Sequence, residues 1–461
     1  MGTTYYHALT FRDDICIGCS HCMMVCPTEA IRVKDGKAQM MDDHCIDCGA
    51  CYKVCPVGAI VVEQDDFSCI EKFEHKVALV PALFTGQFPN NITRDEILQS
   101  IYDIGFDDVY EIEYSVDFLS EQYLEYFKDE DHEKPFISTF CPAVIRLIQV
   151  KFPTLIHNLM RIKAPLDFTA MYAKKSLIDK GLDADSIGVF YISPCAAKFV
   201  AIKSPIGEEK SVIDGVLNMN FVFNKSFKAI KSGVSKDRDD FHKALSKNAI
   251  NWSLTGGETN NFPNVRSLAI DGINNVVEFL ELLEDDEIEG VEFLEMRACD
   301  EGCAGGILCP GNRFLTVEKL KNRADFCQKK IENTGKTPAK KLRSYDDYLI
   351  QNAGVGKINA RSIVKLADEV AEAMSKMKRM FEINGALPQV DCGICGAPSC
   401  QSFAEDIVRN KADIVQCIFV QKILEQNEKI DSKKSVEVMK SIWGDKKLDK
   451  NSLREELKDI I

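Results

Sequence analysis

Three cysteine-bearing stretches in the middle of the chain carry its densest chemical information: FISTFCPAVIR, VFYISPCAAKF and FLEMRACDEGCAGGILCP. Each follows a short apolar run rich in Val, Ile, Phe and Tyr. Cys141, Cys195 and Cys299 are therefore expected just beyond three strands, with Cys303 four residues after Cys299. In open α/β sheets, ligand sites gather at the carboxyl ends of strands. Four thiols delivered from three such ends can hold one cube of iron and sulfide.

A second set of cysteines is arranged locally. Cys16, Cys19, Cys22 and Cys26-Pro27 recur as Cys45, Cys48, Cys51 and Cys55-Pro56. This is C-x2-C-x2-C-x3-C-P twice, the pattern of two-cluster ferredoxins, in which the fourth cysteine serves the other cluster. The spacing assigns Cys16, Cys19, Cys22 and Cys55 to one [4Fe–4S] cluster. Cys45, Cys48, Cys51 and Cys26 take the other. A third motif, Cys392, Cys395, Cys400 and Cys417, has the form C-x2-C-x4-C-x16-C. It reads as a further [4Fe–4S] site. A helix is expected from about Gln401 to Asn410, which sets Cys400 at an N-terminus that favours an anion. Zinc is the alternative at any C-x2-C pair, but thiolate sets in this register suit iron–sulfur clusters.

Composition narrows the classes. The net charge of −14 argues against binding a nucleic-acid backbone, which wants a basic face. Acidity suits solubility and electron-transfer docking. No apolar run approaches the ~18 residues of a membrane span, and the first residues lack the layout of a leader peptide. The expectation is a cytoplasmic protein with no membrane and no nucleic-acid partner. Nineteen cysteines in a reducing compartment are not a disulfide framework, and only seven histidines accompany them. Cys69 and Cys327 have no ligand neighbours in sequence and read as structural.

The elements that position these thiols follow from pattern. Residues 1–70 form an α+β two-cluster domain. Residues 75–330 alternate strands with helices, which implies parallel sheets. Here KVALVPALF is a buried strand, Thr93 to Glu96 is a capping box for a helix closed by Gly105, and DVYEIEYS alternates as a strand. The stretches SIGVFYIS and VEFLEMRA deliver cysteines. Residues 331–382 read as a polar linker followed by a helix over ARSIVKLADEVAEAMSKMKRMFEI. Residues 383–461 form a small, mostly helical cluster domain, with Ser452 to Glu455 as a further cap. The fold class is an α/β core of two parallel-sheet lobes around a central iron–sulfur site, flanked by these two cluster domains.

The central stretches resemble the three signatures of the [FeFe]-hydrogenase catalytic domain, T-S-C-C-P, M-P-C-x-x-K and E-x-M-x-C-x-x-x-C-x-x-G-G-G. With the ferredoxin repeat, the resemblance covers about the first 330 residues. It implies that Cys141, Cys195, Cys299 and Cys303 bind a [4Fe–4S] cube. Cys303 would also bridge to a diiron subsite carrying CO, cyanide and an azadithiolate, the whole forming an H-cluster beside three accessory [4Fe–4S] clusters. Lys198 matches the family lysine that donates to a cyanide. Pro81 and Ala82 resemble a cofactor-contacting loop. H2 and protons are the implied substrates, and a ferredoxin-like protein is the implied redox partner.

The departures from the family pattern fall around the same site. The family's proton-relaying cysteine is Phe140 here, and a benzene ring carries no proton. The second motif's methionine is Ser193. The third's is Arg297, a permanent cation where the family has a thioether. The glycine run has become GGILCP, which adds Cys309, a thiol near the site that can act as an acid or simply pack as a small hydrophobe. A degraded relay with a C-terminal cluster resembles the sensory [FeFe]-hydrogenases. That implies slow H2 oxidation or proton reduction, a redox or H2 sensing role, and a separate signalling kinase or phosphatase, and it leaves a dimer open. Two rival readings are an ordinary catalytic hydrogenase and an iron–sulfur electron-transfer or assembly protein without the diiron subsite.

Overall fold

A computed structural model describes residues 5–128, 133–233, 245–334, 341–361, 366 and 369–448. The chain packs as two compact units. One draws on residues 1–45, 49–62 and 361–461, the other on 46–48 and 63–360. Apart from residues 46–48, the N-terminal repeat thus shares a unit with the C-terminal cluster segment.

In that first unit, β1 (Leu9–Phe11) pairs antiparallel with a later strand, β4 (Ile60–Val62), while β2 (Ile31–Lys34) and β3 (Lys37–Met40) form a hairpin. Asp35 and Gly36, both at positive φ (51° and 71°), make its two-residue turn, the geometry that matches strand twist. Ile31 and Val33 of β2 are buried. The outer edge of β2 and its turn are not left bare: Val33 N–H donates to Gly396 O, Asp35 N–H to Ser441 O and Gly36 N–H to Ile442 O, each at 2.9 Å. A covered edge cannot template further pairing. The C-terminal part contributes the helices Val370–Ala386, Cys400–Val408, Ile418–Gln426 and Ser432–Trp443. Met380, Leu387, Phe403, Ala404 and Val408 form its core.

The second unit holds the two lobes expected from the alternating pattern. Strands β5 (His75–Val80), β6 (Asp108–Glu111), β8 (Ile187–Ser193) and β9 (Gly215–Asn218) make a parallel sheet in the order β6-β5-β8-β9. Strands β7 (Phe136–Ile137), β10 (Ser267–Asp271) and β11 (Phe293–Arg297) make a second, in the order β10-β11-β7. All seven residues of β8 are buried, as expected of a parallel strand covered on both faces. Thr93 and Glu96 form the reciprocal capping box of helix Arg94–Asp103, and Gly105 lies just past its end at φ 117°.

Three expectations need correction. The run DVYEIEYS is a strand only as far as Glu111; Ile112–Ser115 is a 3-10 turn. All four of these residues are buried, which an alternating half-exposed strand does not allow. The Ser115 hydroxyl donates to Pro165 O at 2.9 Å and the Thr169 hydroxyl to Ile112 O at 2.7 Å. The polar stretch from 331 is not linker throughout, because helix Arg313–Thr334 runs into it and Leu342–Tyr345 and Asp346–Gln351 are helical. Leu342 and Leu349 are fully buried and anchor that segment. Of the helix expected over 360–383, Val370–Ala386 is observed and runs three residues further, while residues 362–365, 367 and 368 lie outside the described residues. The Ser452 to Glu455 cap lies outside the described residues.

Candidate functional site

The three central cysteine segments sit where strands end. Cys141 is the N-cap of helix Pro142–Lys151, shortly after β7; Cys195 is the N-cap of helix Ala196–Lys203, two residues after β8. Cys299 follows β11 by two residues, and Cys303 lies in the turn Gly302–Gly305, its N–H bonded to Ser253 O at 2.8 Å. Burial pushes the Cys195 thiol up to about 12, against the pull of Lys198, with Cys303 and Cys141 adding to the rise. Burial raises Cys303 too, opposed by Lys198 and Arg297 and reinforced by Cys141 and Glu113. Cys141, Cys195 and Cys303 therefore share one electrostatic neighbourhood. Half-buried thiols that hinder each other's ionisation are a donor set whose charge a cationic metal core relieves. The residues fit a cube.

The side chains around this set are charged in an unusual pattern. Lys198 Nζ lies 3.9 Å from Cys303 Sγ and 4.1 Å from the centroid of the Phe140 ring. The Arg297 guanidinium lies 4.3 Å from the same centroid. Phe140 is thus held by two cations, each attracted to the negative ring face. Arg297 is 1% exposed, and Glu258 and Glu295 are both 0%. Its Nη1 is 2.5 Å from Glu258 and its Nη2 3.4 Å from Glu295. Burial lowers the Arg297 pKa, but Glu258 and then Glu295 more than offset this, and it stands raised. Glu295 accepts from the backbone N–H groups of Gly256, Glu258 and Thr259. Ser138 Oγ donates to Glu258 at 2.7 Å and accepts from Phe140 N–H at 3.2 Å. The network therefore holds the loop that presents Cys141.

The remaining site residues fall nearby. Ser193 Oγ donates to Cys195 O at 2.9 Å and accepts from Cys195 N–H at 3.3 Å, shaping that loop rather than facing it with a thioether. Cys309 Sγ donates to Cys303 O at 3.5 Å and contacts Met219 Sδ at 3.9 Å. Pro81 ends β5, and Ala82 N–H donates to Glu113 at 2.8 Å. Burial, then the charge of Glu111, pushes Glu113 up to about 8. The Lys198 ammonium faces the Cys303 sulfur, and it also lines, with Thr139 and Phe140, a cavity of about 110 Å³ whose lining includes none of the four cysteines. Sequence reading missed Glu113, Glu258 and Glu295. The one available signal was the carboxylate of Glu295, set between Leu294 and Met296 in β11.

In the first unit, burial pushes Cys22 up to about 12, and Cys19, Cys16 and Cys55 add to the rise. Backbone N–H groups already face several sulfurs: Gly18 and Ala38 donate to Cys16, Ala30 to Cys26 and Ala59 to Cys55, between 3.2 and 3.5 Å. Cys45 and Cys51 are buried, and Cys51 lies in helix Ala50–Val54, just after Cys48. Cys400 is the first residue of helix Cys400–Val408, with Ser399 as N-cap. Burial pushes Cys395 up to about 12, with Cys392, Cys417 and Cys400 adding to the rise. The sets around Cys22 and around Cys395 therefore also have donor chemistry that fits cubes.

Comparison with known proteins agrees with the chemistry of these sites. Residues 74–261 match the C-terminal domain of the iron-only hydrogenase large subunit, residues 8–56 a 4Fe-4S dicluster domain, and residues 387–419 an Fe–S cluster family. A curated relative, one component of an ion-translocating oxidoreductase complex from Thiobacillus denitrificans, is 50% identical over 36 residues. That is 8% of this chain, and it spans about a fifth of the relative's length (19%). Among solved structures, a HydA(deltaEFG) [FeFe]-hydrogenase shares 15% identity at a TM-score of 0.47, covering 64% of this chain and 97% of that one. A variant of [FeFe]-hydrogenase HydA1 from Chlamydomonas reinhardtii shares 16% at 0.47, covering 65% and 96%. The chain thus carries one segment that matches an iron-only hydrogenase domain and two that match iron–sulfur cluster families, and its core is a parallel-sheet α/β fold. Among the described residues, no helix is long and apolar enough to cross a membrane.

Proposed function

We propose that Cys141, Cys195, Cys299 and Cys303 hold a [4Fe–4S] cube extended at Cys303 by a diiron unit, and that the protein binds and slowly oxidises H2, or reduces protons, as a redox or H2 sensor. The observation that carries this is the convergence of Cys141, Cys195 and Cys303 with the Lys198 ammonium 3.9 Å from the Cys303 sulfur. When bound, the diiron unit supplies the heterolytic hydrogen chemistry. The protein's residues supply its setting. Lys198 pairs a fixed positive charge with anionic ligands. Arg297, balanced by Glu258 and Glu295, keeps a second cation behind Phe140. Phe140 excludes water and carries no proton, which slows turnover, since proton transfer by a positioned group is typically worth ~10²–10⁴-fold.

Cys16, Cys19, Cys22 and Cys55, and Cys45, Cys48, Cys51 and Cys26, hold two accessory cubes in this reading; Cys392, Cys395, Cys400 and Cys417 hold a third. A ferredoxin-like protein exchanges electrons with them, and a separate kinase or phosphatase carries the signal. The test is infrared spectroscopy of anaerobically matured protein. CO and cyanide bands are expected, and their absence with the cubes intact overturns the proposal.

One observation favours a second reading. The Lys198 ammonium beside Cys303 also lies against the Phe140 ring, which meets Arg297 as well. A protein without the diiron unit, serving electron transfer or cluster assembly, tolerates that packing. It shows no such bands and no H2-dependent reduction of dyes.

A further inference from the structure

One short segment of the first unit touches two cysteine loops far apart in sequence. Trp443, the last residue of helix Ser432–Trp443, donates its indole N–H to Ile394 O at 2.8 Å. Ile394 lies inside the Cys392–Cys395 loop. Lys447, in the turn Asp445–Leu448, donates to Gly18 O. Gly18 lies inside the Cys16–Cys19 loop. The Lys447 ammonium also sits 4.9 Å from the centroid of the Trp443 indole. The segment therefore links the middle of one cysteine loop to the middle of the other.

Glycines let the backbones approach. A Cβ on Gly393 would stand 3.0 Å from Met23 Cε and 3.3 Å from Met24 Sδ, beside Cys22. A Cβ on Gly18 would stand 2.0 Å from Gly36 O, and one on Gly36 3.0 Å from Trp443 O. All three have positive φ, between 62° and 72°, which glycine adopts without the penalty of a side chain. Ser399, next to Cys400, adds a hydroxyl bond to Glu29 at 3.0 Å.

We propose that the cluster of Cys392, Cys395, Cys400 and Cys417 exchanges electrons directly with the cluster of Cys16, Cys19, Cys22 and Cys55, and that Trp443 and Lys447 are the positioning residues that hold the two loops together. This rests on the ligand reading above. The step is the transfer of one electron: one cube is oxidised by one electron, the other is reduced by one, and no proton or bond changes hands. Cys392 is exposed, so a ferredoxin-class reductant meets the C-terminal cluster there and is itself oxidised by one electron.

The test is electron paramagnetic resonance of the reduced, anaerobic full-length protein, with iron and sulfide counted first. The count checks the ligand reading by itself: iron that does not fall when Cys392 and Cys395 become Ser removes that reading, whatever the spectra show. With the count intact, the N-terminal signals are expected to narrow and relax several-fold more slowly once the C-terminal cluster is removed. Trp443→Ala with Lys447→Gln is expected to give the same slowing with no iron lost. Unchanged relaxation in either case overturns the direct exchange. If the double variant loses iron, Lys447→Gln alone decides: a partial slowing that Lys447→Arg reverses supports the role, and no slowing refutes it.

Discussion

Replacing Arg297 by Met removes the cation between two fully buried carboxylates, Glu258 at 2.5 Å and Glu295 at 3.4 Å. Glu295 keeps three backbone N–H donors. Glu258 keeps the Ser138 hydroxyl but loses its buried counter-charge. Breaking a buried ion pair by removing one partner costs about 3–5 kcal/mol. A unit of roughly 300 residues has an unfolding entropy of about 0.6 kcal/mol/K, so this loss lowers Tm by about 5–8 °C. Removing the orphaned charge as well, with Glu258→Gln, is expected to recover a large part of the loss, because the two residues are directly coupled. Scanning calorimetry of the cluster-loaded protein, with iron counted before each scan, reads the effect. The reasoning fails if Arg297→Met melts within about 1 °C of the parent, the range of an ordinary surface change. It also fails if the double variant is no more stable than the single one.

Two further outcomes follow from other residues. Burial alone would raise Glu111, but the charges of Arg323 and Arg94 hold it down to about 2. A depressed carboxylate contributes stability that is complete above its ordinary pKa and is lost as pH falls through its folded one; here that is about 3 kcal/mol. The stability gap between the parent and Glu111→Gln should therefore narrow as pH falls from about 4.5 towards about 2, read as urea midpoints by circular dichroism. A gap that stays constant across that window contradicts the assignment. If the protein handles H2 as proposed, Phe140→Cys supplies a proton-carrying group beside Cys141, and H2-driven dye reduction by matured protein should rise ~10²–10⁴-fold. No rise means that protons already reach the site by a separate working route.

The cysteine sets were legible because their chemistry is local. Four thiols spaced by two, two and three residues announce a cluster whatever the rest of the chain does, and the β-α alternation placed Cys141, Cys195 and Cys299 beyond strand ends without any coordinates. The cap at Thr93 was readable for the same reason, since one turn contains it. The run DVYEIEYS shows the limit. Its alternation favoured a longer strand, and packing against Pro165 and Thr169, 50 and 57 residues from their partners, bent it into a 3-10 turn after Glu111. No short window contains that competition.

The chain's own order of residues pointed to iron–sulfur ligation and roughly to where its sheets lie, because thiolate spacing and apolar periodicity act over a few residues. The fold alone decided what surrounds them. Phe140 meets Lys198 and Arg297, Arg297 meets Glu258, and Trp443 and Lys447 reach cysteine loops about 50 and 430 residues distant. Electrostatics and close packing act through space, so such partners are set by the path of the whole backbone rather than by neighbours along it.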